Sequence, residues 1–187
     1  MSGIRVIAGT AKGRRLKLVP SDSTRPVVDR VKQAVFNIIG SGIADTTFLD
    51  LFGGTGSVGI EALSRGAAQA TFIDADKLAV KTIKENLDAV GFTEQSRVLR
   101  GDALEHLKSP PLTSFDYIYI APPQYHELWV KALRLIDAQP IWLNPDGWAV
   151  IQIDPIEYVE QTLTNLVLVD QRKYGSTLIC IYERPGN

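Results

Sequence analysis

Short apolar runs alternate with amphipathic stretches through most of this 187-residue chain. The apolar runs predict strands at 47–51, 70–73, 98–99, 116–120 and 149–153. The stretches between them carry apolar residues at helical spacing and predict helices at 57–65, 77–89, 126–136 and 155–163. Because strands and helices alternate, we expect an α/β fold with a parallel sheet and helices on both of its faces.

The two ends of the chain depart from this alternation. Two closing apolar runs, 166–169 and 177–182, have no helix between them and predict an antiparallel hairpin. Near the start, the runs 4–8 and 15–18 predict two short strands joined by a turn. Pro26 then predicts a helix that begins at 24–26, with Asp29, Arg30 and Lys32 on its polar face. We expect residues 1–40 to be an N-terminal extension and residues 41–187 to form one domain.

Composition narrows the class of protein. Hydrophobic residues make up 45% of the chain and charged residues 22%, which is typical of an ordinary soluble domain. No apolar stretch is long enough to span a bilayer, and no secretory leader is evident, so we expect a cytoplasmic protein. One cysteine cannot build a disulfide framework. Two histidines and that cysteine lie far apart, and we therefore expect no metal site.

Charge is unevenly distributed, although the net charge is only −1. Residues 1–40 contain eight basic and two acidic residues, whereas the rest of the chain is acidic overall. A basic segment on an acidic body predicts a phosphate-binding surface, and the alternative is an ordinary solvated face. The candidate nucleic-acid contacts are Arg5, Lys12, Arg14, Arg15, Arg25 and Arg30.

The stretch TFLDLFGGTGSVGIEALSRG, residues 47–66, predicts a strand, a glycine-rich loop and a helix. Glycines suit such a loop because the backbone must adopt positive φ and approach a ligand closely. Gly54, Gly56 and Gly59 fit the dinucleotide pattern, with Asp74 at about the expected ~20-residue distance. No Gly-Lys-Ser/Thr follows, which excludes a Walker loop.

Asp50 helps to decide between two candidate ligands for this loop, NAD and a ligand without phosphate. A carboxylate beside the loop would repel a pyrophosphate, but it suits S-adenosylmethionine (SAM), which carries a sulfonium and an amino group and no phosphate. The residues therefore favour SAM over NAD, and the alternative is that Asp50 only caps the loop. The candidate cofactor contacts in this stretch are Asp50, Phe52, Gly53, Gly54 and Gly56.

Further acids follow the next strands at their carboxyl ends, where open α/β sheets bind ligands. Asp74 is the candidate for the ribose hydroxyls, with Asp76 as its competitor. Asp102, with Ala103 beside it, could accept from the adenine amino group, although Asp102 also fits a helix N-cap. The turn after 116–120 is Ala121-Pro122-Pro123-Gln124, followed by Tyr125.

Three segments together resemble the RsmD family of SAM-dependent methyltransferases, which act on guanine N2 of bacterial 16S ribosomal RNA. They are IRVIAGTAKGRRL, TRPVVDRVKQAVFNII and LDLFGGTGSVGIEALSRGA, and the resemblance extends to the closing YGSTLICIYER. It implies a class I (Rossmann-like) methyltransferase fold with a seven-stranded sheet and a reversed last strand. It also implies SAM as cofactor and 16S ribosomal RNA, or a small-subunit assembly particle, as partner.

One motif departs from the family pattern. The family carries Asp/Asn-Pro-Pro-Tyr/Phe after the fourth strand, where the acid or amide accepts from the target amine and the aromatic ring stacks on the base. Here Ala121 and Gln124 occupy those positions, and a one-residue shift would let Gln124 supply an amide oxygen and Tyr125 a ring. Two functions stay open: a guanine-N2 methyltransferase with a variant motif, or a SAM-binding, RNA-binding assembly factor without catalysis. Methylation of another base or a small molecule is a third, weaker alternative.

Overall fold

A computed structural model describes residues 3–21, 26–124 and 126–187. The helices in this part of the chain are α1 (Asp29–Ile39), α2 (Ser57–Ser64), α3 (Lys77–Val90), α4 (Ala103–Leu107) and α5 (Leu128–Ala138). The strands are β1 (Thr47–Asp50), β2 (Gln69–Asp74), β3 (Ser96–Arg100), β4 (Phe115–Ile120), β5 (Leu143–Ile153), β6 (Val167–Tyr174) and β7 (Thr177–Glu183). The chain forms two compact units, Met1–Gly101 and Asp102–Asn187.

The first unit contains three parallel strands in the order β3-β2-β1. Phe48, Leu49 and Phe72 are fully buried on these strands. Every residue of α2 is buried, and a Cβ on Gly59 would lie 2.3 Å from the Phe72 ring. Glycine at 59 therefore lets α2 pack directly on β2, and this contact places the start of α2 above the carboxyl end of β1.

The N-terminal segment, residues 3–20, crosses helices of the same unit. Its two predicted strands shrink to one antiparallel bridge, Arg5 with Arg15, so the prediction of two strands is wrong in extent. The cause is competition for backbone donors, because the Ile7 and Ala8 N–H groups donate to the Glu61 carboxylate of α2. Side chains of α2 thus take the place of a neighbouring strand.

The first helix also begins later than predicted. Helix α1 starts at Asp29, after Val28, whose backbone is extended (φ −68°, ψ 147°). Pro26 therefore precedes the helix rather than occupying its first turn. Thr24 and Arg25, which open the predicted helix, lie outside the described residues.

The second unit contains strands in the order β4-β5-β7-β6. Strands β4 and β5 are parallel, and β7 runs antiparallel to both β5 and β6. The antiparallel closing hairpin predicted from the sequence is confirmed, with Gly175 at φ 58° in its turn. All seven strands of the predicted sheet are present.

The predicted helix 155–163 is wrong. Only a short 3₁₀ turn forms there, Pro155–Glu157, and Ile156 and Val159 are 78% and 61% exposed. An isolated helix of this length is marginal unless it buries an apolar face, and these side chains find no such face. The chain that directly follows is held by the Asp137 carboxylate, which accepts from the Thr164, Asn165 and Leu166 N–H groups.

No helix in the described residues combines the length and apolar character needed to cross a membrane.

Candidate active site

The glycine loop joins β1 to α2. Gly54 and Gly56 have φ of 57° and 81°, a left-handed conformation that glycine adopts at low cost. The loop is closed by a hydrogen bond from the Gly56 N–H to the Gly53 carbonyl. A Cβ on Gly53 would lie 2.8 Å from Ile83 Cδ1, so this position is closely packed, while Phe52 is half-buried beside it. The loop therefore has the compact, backbone-lined form that the sequence pattern predicts.

Asp50 ends β1 beneath this loop and is 1% exposed. Its carboxylate accepts from the Gly59 N–H at 3.1 Å, within the first turn of α2. Burial raises the pKa of the Asp50 carboxyl well above its usual range, and the nearby Asp74 charge adds to the increase. This contact is the loop-capping role left open by the sequence, and a role toward a cofactor stays a prediction.

Asp74 ends β2 and holds the glycine loop from the side. One carboxylate oxygen accepts from the Gly54 N–H at 2.9 Å, and the other accepts from the Asp76 N–H at 2.9 Å. Each oxygen has a further lone pair, and the side chain is only half-buried. Asp76 instead caps α3 by accepting from the Leu78 N–H. Of the two candidates for the ribose, Asp74 is therefore the one in contact with the loop.

Two further candidate groups lie in the second unit. Asp102 is an exposed N-cap of α4 and accepts from the Glu105 N–H, as its sequence context suggested, while the neighbouring Ala103 is buried. After β4, Ala121 and Pro122 are half-buried, whereas Pro123 and Gln124 are exposed. Tyr125 lies outside the described residues. The exposed half of this turn presents a side-chain amide at Gln124.

The candidate RNA contacts divide into two groups. Lys12, Arg15 and Arg30 are exposed and form no ion pair with another described residue. Arg5 pairs with Asp29 at 3.3 Å on the surface, and Arg14 donates to the Ala89 carbonyl at the end of α3. Arg25 lies outside the described residues. The first group is therefore the more available for a phosphate.

Lys32 corrects the sequence interpretation, which placed it on the polar face of the first helix. Its side chain is fully buried, 3.3 Å from the Glu61 carboxylate, and it also donates to the Arg5 carbonyl. Arg65 completes the cluster at 2.9 Å from Glu61 and stacks on the Phe36 ring at 4.9 Å. A single acid inside the otherwise apolar GIEAL stretch was the available signal for this cluster.

Asn86 of α3 is a second group that sequence reasoning missed. It is 1% exposed and hydrogen bonds both to the N-terminal segment and to the glycine loop. Its sequence neighbourhood, KENLDAV, is that of an ordinary amphipathic helix, so no local signal marks it.

Comparison with known proteins places the chain among methyltransferases. A family model described as Conserved hypothetical protein 95 matches residues 4–183. The chain is 40% identical over 185 residues to a protein of Bacillus subtilis named "Putative rRNA methyltransferase YlbH", covering 98% of this chain and all of that one. It is 35% identical over 153 residues to Ribosomal RNA small subunit methyltransferase D of Haemophilus influenzae, covering 81% of this chain and 79% of the other.

A solved structure of a methyltransferase has a similar fold. The Escherichia coli protein described as "Putative methyltransferase yhhF" superposes with a TM-score of 0.84 at 29% identity, covering 98% of this chain and 99% of the other. This likeness over nearly the whole length confirms the α/β fold class expected from the sequence.

Proposed function

This chain belongs to the RsmD family of class I SAM-dependent methyltransferases, whose model is described as Conserved hypothetical protein 95, and we propose that it methylates a guanine N2 of small-subunit ribosomal RNA. The observation that carries the proposal is the glycine loop held by Asp74, in a chain that matches the Bacillus subtilis protein named "Putative rRNA methyltransferase YlbH" over almost its full length.

The cofactor of this family is S-adenosylmethionine, and the residues of the first unit fit it. Gly54 and Gly56 let the loop take left-handed backbone conformations, and Gly53 and Gly56 let it pack closely against Ile83. The Asp74 carboxylate keeps unused lone pairs for ribose hydroxyls, and no lysine in the loop offers a phosphate partner. When bound, SAM supplies an electrophilic methyl group next to a sulfonium cation.

RNA is the substrate class that the charge distribution supports. The exposed Lys12, Arg15 and Arg30 all belong to the first 40 residues, where basic residues outnumber acids four to one. Contacts between such side chains and phosphates supply affinity without reading sequence. A small-molecule methyltransferase would have no need of this surface.

The turn at 121–124 determines how the target amine is held. Ala121 has no side-chain acceptor, so we assign that role to the backbone carbonyls of the turn and to the exposed Gln124 amide. Replacing a charge-assisted hydrogen bond by a neutral one costs about 1–2 kcal/mol, or roughly a five- to thirtyfold lower rate. The variant motif is therefore compatible with slow catalysis.

Transfer of radiolabelled methyl from SAM tests this function directly. The substrates are small-subunit RNA and small-subunit particles from a strain lacking this gene, with nucleoside analysis of the labelled product. We expect label in N2-methylguanosine. Label in another nucleoside would reject the guanine-N2 assignment, while intact binding of SAM and RNA without any transfer would favour the non-catalytic assembly factor.

A further inference from the structure

Asn86 links two parts of the first unit that have different proposed ligands. Its Oδ1 accepts from the Lys17 N–H at 2.7 Å, and its Nδ2 donates to the Lys17 carbonyl at 3.1 Å. The same Nδ2 donates to the Thr55 carbonyl at 2.9 Å. Lys17 belongs to the basic N-terminal segment and Thr55 to the glycine loop, so one side chain bridges them.

The bridge uses the whole hydrogen-bonding capacity of the amide's nitrogen. An asparagine amide has two N–H donors and one carbonyl acceptor, and both donors are occupied by backbone carbonyls here. The pair of bonds to Lys17 imitates the pairing of a β-strand, which fixes the position of that residue along α3. Lys17 cannot shift without breaking these bonds or moving the amide that holds Thr55.

Both ends of the bridge are tied to elements that matter for binding. Thr55 is 4% exposed and stands between Gly54 and Gly56, the two left-handed glycines of the loop. On the other side, α3 anchors the segment twice more, through the Lys17–Glu85 ion pair at 3.1 Å and the Arg14 bond to the Ala89 carbonyl. A ligand that orders residues 14–17 therefore also orders the surroundings of Thr55.

We propose that Asn86 is a positioning residue that couples RNA binding by the N-terminal segment to SAM binding by the glycine loop. This inference rests on the proposed function, since it takes RNA as the ligand of the segment. The coupling is reciprocal: RNA strengthens cofactor binding by the factor by which the cofactor strengthens RNA binding. Its value to the reaction is that the methyl donor is held most firmly when the substrate is in place.

Calorimetric titration tests the coupling. S-adenosylhomocysteine is titrated into the full chain with and without a saturating small-subunit RNA transcript, so that no methyl is transferred during the measurement. For the parent protein we expect the dissociation constant to fall about fivefold or more when RNA is present. For Asn86→Asp, which loses both donated bonds, we expect this ratio to approach one. Asn86→Ala removes the bridge without adding a charge, and we expect its ratio to approach one as well. This second variant replaces Asn86→Asp in the test if Asn86→Asp does not fold.

Ser64→Ala is the matched control. Ser64 of α2 also anchors the segment, by accepting from the Ala11 N–H and donating to the Ala8 carbonyl. Within the described residues, no hydrogen bond joins its side chain to the glycine loop. We expect it to lower thermal stability and to keep the ratio. A ratio preserved in the Asn86 variants, or equally lost in Ser64→Ala, would mean that Asn86 is only structural and would overturn the inference.

The measurements on the parent protein distinguish failure of the coupling from failure of the proposed function. If the parent binds both RNA and S-adenosylhomocysteine but with a ratio of one, the coupling is refuted and the proposed function stands. If the parent binds no RNA, the proposed substrate class fails and the coupling fails with it.

Discussion

Glu61 supports a cluster whose loss should destabilise the protein severely. Its side chain is fully buried and accepts from four donors: the Ile7 and Ala8 N–H groups at 2.9 and 3.0 Å, Arg65 at 2.9 Å and Lys32 at 3.3 Å. Replacing Glu61 with alanine removes the acceptor of all four donors at once. Among the described residues, the buried Lys32 ammonium then keeps only its hydrogen bond to the Arg5 carbonyl.

The magnitude follows from that orphaned charge. Breaking a buried ion pair by removing one partner costs about 3–5 kcal/mol, because the remaining charge stays desolvated. We expect at least this loss in the free energy of unfolding for Glu61→Ala, which is a large part of the ~5–15 kcal/mol typical of a domain. Lys32→Met should cost only about 1–2 kcal/mol, because Glu61 then keeps Arg65 and both backbone donors.

The pH dependence gives a second, independent signature. Burial lowers the pKa of the Lys32 amine below its ordinary value of 10.5, and the charge of Glu61 opposes this decrease. Between the folded and unfolded pKa values the unfolded chain binds more protons, so stability rises with pH in that window. Without Glu61 the pKa of folded Lys32 falls further, and neutral Lys32 no longer carries an unpaired buried charge. The penalty of Glu61→Ala should therefore shrink between about pH 7 and about pH 9.5.

Urea denaturation followed by far-ultraviolet circular dichroism, at both pH values, measures these differences. Glu94→Ala, an exposed acid in the same unit, is the control and should change stability by less than about 0.5 kcal/mol. If Lys32→Met lowered the free energy of unfolding as much as Glu61→Ala or more, the assignment of Glu61 as the centre of the cluster would be refuted. A penalty that does not change with pH would refute the orphaned lysine as its cause.

Three further predictions concern the proposed reaction. Asp74→Ala should weaken SAM binding by about 1–3 kcal/mol, through lost ribose and loop hydrogen bonds, and unchanged affinity by calorimetry would remove that role from Asp74. Removing four basic residues of the N-terminal extension, residues 1–40, should flatten the salt dependence of RNA binding, whereas removing four exposed lysines elsewhere should not. Equal slopes for the two variants in a filter-binding assay would show that the basic residues of the extension are only solvated surface charges. The tested residues are Arg14, Arg15, Arg25 and Arg30, and the control residues are Lys77, Lys84, Lys131 and Lys173. Ala121→Asp together with Gln124→Tyr should raise the single-turnover rate of methyl transfer with little change in SAM affinity, and a lower rate in both single variants would show instead that the turn already holds the base in a rearranged way.

The local elements that surround the glycine loop were predictable from the sequence. Strands β1 and β2 and helices α2 and α3 begin and end within one or two residues of the predicted limits. Their apolar periodicity, their glycines and their caps are local properties, and each of them acts within a few residues of its own position. The Asp76 and Asp102 caps, which the structure contains, are of the same kind.

Burial and long-range partners were decided by the tertiary structure. Lys32 looks like a surface residue in sequence, and it is buried because Glu61, 29 positions later, supplies the charge that makes burial tolerable. The segment 155–163 carries helix-compatible residues, yet it forms only a short 3₁₀ turn, because Ile156 and Val159 find no apolar surface to cover them. Asp137 binds the backbone donors of the residues that follow.

The sequence by itself therefore determined the succession of the seven strands, the fold class and the loop in which a methyl donor is expected, because these depend on local periodicity and backbone conformation. The tertiary structure decided which polar groups meet. Asn86 reaches Lys17 across 69 positions and Thr55 across 31. Hydrogen bonds between such distant residues depend on how helices pack, and no pattern within a single segment encodes that packing.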